Sequence, residues 1–313
     1  MKTLQKTLII CFFTVSMCAE SQVPPPPPPP PPASSLHVNR ADSLLRAGSV
    51  VQATDEYRKM LAKDSYDLSS IYNYACALSL AGQPDKALSY LNLLAGINPS
   101  VFALTDPDLL AARESEGWED FENRLIEALN ERNGNLIKDT DYARALWRLL
   151  CLDQYGFYET GIAVRNLGPV SPVVTGLRRM QTLQNEKNLA ELEMLLDTKG
   201  WPEQSQVGRE ASGAAFYVLQ HSNAKAQEKY IKLFEDACRR NEGNWQQYAL
   251  MFDRMRMNQN LPQRYGTHYI LDNRSTGENI LYPLEDETRV DEWRKEIGLE
   301  PLKDYMIRTG IIK

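Results

Sequence analysis

AGSVVQATDEYRKML at residues 47–61 and AGQPDKALSYLNLLA at residues 81–95 are the two stretches that decide the fold. Laid over each other at an offset of 34 residues, Gly48, Ala53, Tyr57 and Leu61 fall on Gly82, Ala87, Leu91 and Ala95. A fixed spacing of this length marks a helix–turn–helix unit repeated in a stack, because one such unit cannot bury its apolar face alone. In each unit the glycine supplies a tight turn and the alanine lets two helices approach closely.

The second unit is the cleaner one. Leu68 to Pro99 carry Tyr74-Ala75, Leu78, Gly82, Ala87, Leu91, Leu94 and Pro99, the proline closing the second helix. The first unit, residues 34–67, keeps Ala41, Leu44, Gly48, Ala53 and Tyr57 but has Ser65 in the place of the closing proline. This pattern resembles the tetratricopeptide repeat (TPR) family over about 70 residues, two repeat lengths. The resemblance implies paired helices and a concave groove that binds a protein or peptide partner. Beyond it, Thr105-Asp106-Pro107-Asp108 read as a helix start. Leu109, Leu110, Trp118, Phe121 and Leu125 then form the apolar set of a degenerate third unit or capping helix. Residues 36–130 are thus expected as a short TPR-like array that leans on the domain after it.

The N-terminal end reads as an export signal over residues 1–19. Lys2 and Lys6 precede the apolar run Leu8 to Val15 (LIICFFTV), which at 1.5 Å per residue covers only about 12 Å and is too short to cross a bilayer. Two ends to this signal stand open: lipidation at Cys18 or ordinary cleavage after Ala19, each with Met17 as the awkward residue. Residues 20–35 form a linker containing an unbroken run from Pro24 to Pro32, a stiff polyproline II rod about 28 Å long. Such a spacer suits a tether holding a domain off a membrane; the expected location is the periplasm or, as a lipoprotein, the outer membrane, with secretion as a further alternative. No later segment reaches membrane length, so the membrane enters only through an N-terminal lipid.

The formal charge is −6, and no basic stripe stands out, which argues against a nucleic-acid partner. Cys76, Cys151 and Cys238 are too widely spaced for a disulfide framework or a zinc pattern, and Cys76, between Ala75 and Ala77, reads as a small apolar group.

Residues 139–313 read as a second, helical domain. Helical periods cover Asp139 to Cys151, Leu189 to Leu196, Ala211 to His221, Lys225 to Arg240 and Trp245 to Met257. Trp245, Tyr248 and Phe252 share one helix face, as core residues do. The period then switches: HYIL at 268–271 and NILY at 279–282 flank a turn composition, predicting a hairpin near 268–282. A last helix is expected from Glu287 to Ile297, with Gly298 as its cap and the acidic cluster Glu285-Asp286-Glu287 at its start. The fold class is therefore mostly α, a short helical array followed by a helical domain with one small β-hairpin.

A series of short blocks carries a second resemblance. They are Asp153-Gln154, Trp201-Pro202 with Gly208, Ala215-Phe216, Gln220-His221, Gln227, Asp253-Arg254, Pro262-Gln263, Tyr265-Gly266-Thr267, and the closing Val290-Asp291, Arg294, Gly298-Leu299 and Pro301-Leu302. Their order and spacing over roughly residues 140–306 are similar to an uncharacterised bacterial domain-of-unknown-function family found in exported proteins. That family often has glutamine after Tyr-Gly-Thr, where this chain has His268. The resemblance implies no activity.

Gln220, His221, Asp253, Arg254, Tyr265, Gly266 and Thr267 come from three segments able to converge. In the catalytic reading His221 is a general base and Asp253 orients its ring, while Arg254 holds an anionic group and Gly266 admits a ligand to the backbone. In the binding reading Gln220, Arg254, Tyr265, Gly266 and Thr267 line a ligand site. In the structural reading the same residues form a buried network that satisfies one another. No nucleophile turn, Cys–His pattern, metal-ligand spacing or phosphate loop occurs, and no metal or cofactor is expected. The expected role is protein interaction or scaffolding at the cell envelope. The alternative is a hydrolase-like or small-ligand-binding domain centred on His221 and Asp253.

Overall fold

The structure, a computed structural model, describes residues 39–134, 136–271 and 279–311. The signal, Cys18 and the proline-rich linker lie outside the described residues. Among those described, no helix is long and apolar enough to cross a membrane.

The front third begins with two helical hairpins, α1 (Arg40–Arg46) with α2 (Val50–Leu61) and α3 (Leu68–Leu80) with α4 (Pro84–Ile97). Asn39 and Asp67 cap α1 and α3 through their side chains, and Pro84 opens α4 where no amide is missed. The two turns are equivalent. Gly48 (φ 76°) and Gly82 (φ 71°) occupy the left-handed region. Gly48 N donates to Leu45 O and Ser49 N to Leu44 O; 34 residues on, Gly82 N donates to Ser79 O and Gln83 N to Leu78 O. Ala53, Ala75 and Ala87 are fully buried where the helices meet.

The third unit is broken. Pro107 splits its first helix into 3-10 turns at Val101–Leu104 and Pro107–Leu109 followed by the single turn α5 (Leu110–Arg113), and α6 (Trp118–Asn133) closes the array. Asp106 ties these pieces to α3: its carboxylate accepts from Tyr72 Oη at 2.7 Å.

The remaining helices are α7 (Thr140–Gln154), α8 (Phe157–Leu167), α9 (Pro172–Lys199), α10 (Gln204–Val207), α11 (Arg209–Gln220), α12 (Ala224–Arg239) and α13 (Trp245–Asn258). Sequence periodicity did not reveal α8 or the first half of α9. The stripe that α9 turns inward there includes Gln181 and Asn185, which hold unpartnered buried polar atoms, while Val173, Met180 and Leu183 lie exposed. With Val174 its one fully buried apolar residue before Leu192, this half of α9 carries little apolar signal.

A two-stranded antiparallel sheet follows, β1 (Tyr269–Leu271) with β2 (Asn279–Leu281), pairing Tyr269 with Leu281 and Ile270 with Ile280. The expected hairpin is therefore present, with its turn outside the described residues. Two helices follow, α14 (Val290–Glu296) and α15 (Leu302–Arg308).

One continuous apolar core runs from Ala41 to Trp293 and joins the array to the helices behind it. The junction involves the broken third unit, both its 3-10 turns and α6, where Arg144 of α7 pairs with Glu122 at 3.0 Å. Cys151 of α7 donates to Asp106 O at 3.4 Å, and Tyr158 of α8 lies within electrostatic range of Arg46 and Asp108.

Candidate functional site

The blocks singled out in the sequence converge at the C-terminal ends of α7 and α11, on α13, and on the loop 262–268. They do not pair as expected. His221, the residue that ends α11, places Nδ1 at 2.9 and 3.0 Å from the two carboxylate oxygens of Asp153, at the end of α7. Asp153 is buried and also accepts from Gln154 Nε2 at 2.7 Å. The ring of Phe157 lies against the imidazole at 5.4 Å, and His221 keeps its other edge partly open to solvent. Nε2 of His221 has no hydrogen-bond partner among the described residues. A ring nitrogen held by a buried carboxylate, with the second nitrogen uncommitted, is the arrangement of an oriented general base.

Asp253 is not the partner of His221, because its carboxylate is fully committed elsewhere. It is wholly buried in α13 and gathers the following loop around itself. Oδ1 accepts from Arg264 N at 2.8 Å and Tyr265 N at 3.0 Å. Oδ2 accepts from Thr267 N at 3.0 Å and Thr267 Oγ1 at 2.9 Å. Burial pushes this carboxyl up from the ordinary range while the four donors pull it back down.

The rest of the loop is fixed as firmly. Gln263 Nε2 donates to His268 O and Tyr282 O at 2.9 and 2.7 Å, and its Oε1 accepts from His268 N at 2.9 Å. Arg294, fully buried, donates from Nη1 to Tyr265 O at 2.6 Å and from Nε to Glu300 O at 2.6 Å. Gly266 sits at φ 68° with Leu302 pressed against it. Tyr265, Gly266 and Thr267, expected as ligand contacts, are thus buried and turned to internal partners. The acidic cluster after the hairpin joins this frame as well, since Glu285 takes both Nε and Nη2 of Arg264, at 2.9 and 3.1 Å.

His268, passed over as a site residue, lies at the centre of the network. Thr267 Oγ1 gives its proton to Asp253, the stronger acceptor, so its lone pair accepts from His268 Nδ1–H at 2.8 Å. That fixes a neutral ring with Nε2 as acceptor, facing Gln220 Nε2 at 3.4 Å. Burial first, and the nearby Arg254 charge second, hold the ring well below the usual histidine range. The signal in the sequence was the single place where the chain departs from the family's Tyr-Gly-Thr-Gln pattern.

A pH dependence follows from this ring. Below about pH 6.5 the unfolded chain takes up a proton that the folded state refuses, so stability is complete above that pH and falls as pH drops towards the lowered folded value. The slope contributed by His268 is about 1.4 kcal/mol per pH unit. Urea unfolding of wild type and His268→Gln from pH 7.5 to 5 should diverge by that slope; parallel curves would show that His268 protonates equally in both states.

Gln220 faces the same ring, and the Arg254 charge lies within electrostatic range of it. Gln227, fully buried in α12, donates to Leu219 O at 3.0 Å and Gln220 O at 3.4 Å, and so fixes the end of α11. Arg254 is 8% exposed, so neither it nor its neighbour Asp253 is a surface residue. Metal-type ligands gather elsewhere: Cys76, Asp106 and Asp108 bring three such atoms within 4.8 Å of one another, with Asp106 already accepting from Tyr72.

No curated protein and no solved structure matches the chain. No tetratricopeptide family model matches the front third. Asp153 precedes the one matched segment, whereas Gln220, His221, Asp253, Arg254, Thr267 and His268 fall inside it. That segment, residues 164–310 and a little under half of the chain, matches the family described as "Family of unknown function (DUF6624)", so the C-terminal part carries a domain similar to that family.

Proposed function

We propose that this is an exported interaction protein of the cell envelope, in which two tetratricopeptide-like hairpins form a rigid platform and partner contacts fall on the faces the second half leaves open. The observation that carries the reading is the equivalence of the turns at Gly48 and Gly82, down to the same two hydrogen bonds. While α7 is pinned to α6 by Arg144 and Glu122, α4 keeps an open face. Leu93 and Ile97 of α4 are 47% and 49% exposed, and Ile97 and Pro99 line a shallow depression beside Arg132 of α6. Export rests on the Leu8 to Val15 run, with Cys18 as the candidate lipid attachment.

A second reading, a hydrolase-like or ligand-binding domain, is favoured by the uncommitted Nε2 of His221 on its buried Asp153. One experiment separates the two. Immobilised mature protein is exposed to envelope extract as wild type, Leu93→Asp/Ile97→Asp and His221→Ala. On the interaction reading a discrete protein is retained by wild type and His221→Ala and lost by the α4 double variant. His221→Ala also melts lower, since Asp153 loses its partner at a cost of about 1–2 kcal/mol. Retention of no protein, or its loss in His221→Ala at an unchanged melting temperature, would overturn the reading.

A further inference from the structure

We propose that Arg254 is the anchor of an anion-binding site, which takes a small oxyanion group, phosphate or carboxylate, beside Gln220 and His268. Arg254 makes no ion pair and no hydrogen bond among the described residues, and its Nε is wholly buried without a partner. A guanidinium whose Nε is held away from solvent with no protein acceptor is costly. Burial draws its pKa down to about 10, which leaves it a cation at neutral pH.

The carboxylates of this part of the fold are spoken for. Asp253 holds the 264–267 loop, Asp153 holds His221, and Glu285 holds Arg264. The neighbouring imidazole is neutral and supplies no counter-charge. Gln220, 5% exposed, has an unpartnered Oε1 of its own beside His268, and the Arg254 cation lies within electrostatic range of the same ring, so a cation and an amide acceptor stand unsatisfied near one histidine. An oxyanion answers the first, and a hydroxyl carried on it, as in monohydrogen phosphate, answers the second. The planar fork of arginine suits both phosphate and carboxylate. The 8% of Arg254 that stays exposed is the approach from solvent.

The test is thermal unfolding of the full mature protein in chloride, inorganic phosphate or acetate at equal ionic strength. Ligand that binds only the folded state raises the melting temperature in a saturable way. Wild type should gain several degrees in phosphate, in acetate or in both, and the anion that acts identifies the headgroup. Arg254→Met, similar in length and uncharged, should show no gain. Arg254→Lys, which keeps the charge and loses the fork, should show a reduced gain and serves if the methionine variant does not fold. A wild-type protein indifferent to both anions, or an equal gain in wild type and Arg254→Met, overturns the site.

Discussion

Asp253→Ala should cost about 3–5 kcal/mol of folding stability, because truncating a buried acceptor strands donors that have no access to water. The donors are three backbone amides and the Thr267 hydroxyl, all turned inward to one carboxylate. The effect should spread past the loop. Without Asp253 the Thr267 hydroxyl has no fixed acceptor, so the tautomer of His268 is no longer specified and the contact to Gln220 is loosened. Asp253→Asn keeps the shape and one acceptor oxygen but turns an NH2 towards amide donors, so it should be only partly milder. Urea unfolding gives the energies, and amide exchange of residues 264–268 tells whether the loss is local. A loss below about 1 kcal/mol would mean that the loop finds its conformation without this residue.

Gly266→Ala should cost about 3 kcal/mol from two sources that can be separated. A left-handed conformation costs an L-residue about 1–2 kcal/mol, and overpacking a formed core costs a similar amount. At Gly266 both apply: φ is 68°, and an added Cβ would lie 2.6 Å from Leu302 Cδ1 and 3.2 Å from Cδ2. Gly48 and Gly82 have the same sign of φ but nothing within 4 Å, so only the first cost would arise there. In a Leu302→Ala background the steric part disappears, and Gly266→Ala should then cost about 1–2 kcal/mol. Equal costs in the two backgrounds would show that Leu302 moves aside freely. Leu302 belongs to the small cluster with Val290, Tyr305 and Ile311, so the steric part reports how tightly α15 is seated.

The two predictions fall on a loop that the sequence marked without explaining. Gly48 and Gly82 were legible because a turn between paired helices is local chemistry, repeated at a fixed distance. The hairpin was legible for the same reason, as a change from helical to alternating period within a few residues. Asp253 and the loop it holds are 11 to 14 residues apart, and nothing in the sequence says which carboxylate a loop of amides will choose. His221 and Asp153 are 68 residues apart, and their meeting depends on α7 and α11 packing side by side. An aspartate in the middle of a helix was a sign of an internal partner, and a histidine in place of a family's glutamine was a sign of altered wiring. Residues 157–188 failed for a different reason. From residue 181 the inward stripe is Gln181, Asn185 and Asn188, so the periodicity that reveals most helices is carried there by polar groups, and before it the buried Val164 and Val174 stand too far apart to make a pattern.

The seat of Cys151 against Asp106 also sets an order of assembly. Synthesis proceeds from the N-terminus, so the hairpins at Gly48 and Gly82 can close early from neighbouring residues. The side of the array that α7 covers must then wait for a segment 45 residues beyond Asp106. During that interval the newborn array carries an unfinished apolar flank, the kind of surface that holding chaperones recognise and that premature collapse conceals. A slow step in refolding should therefore belong to the docking of α7, and not to the hairpins themselves.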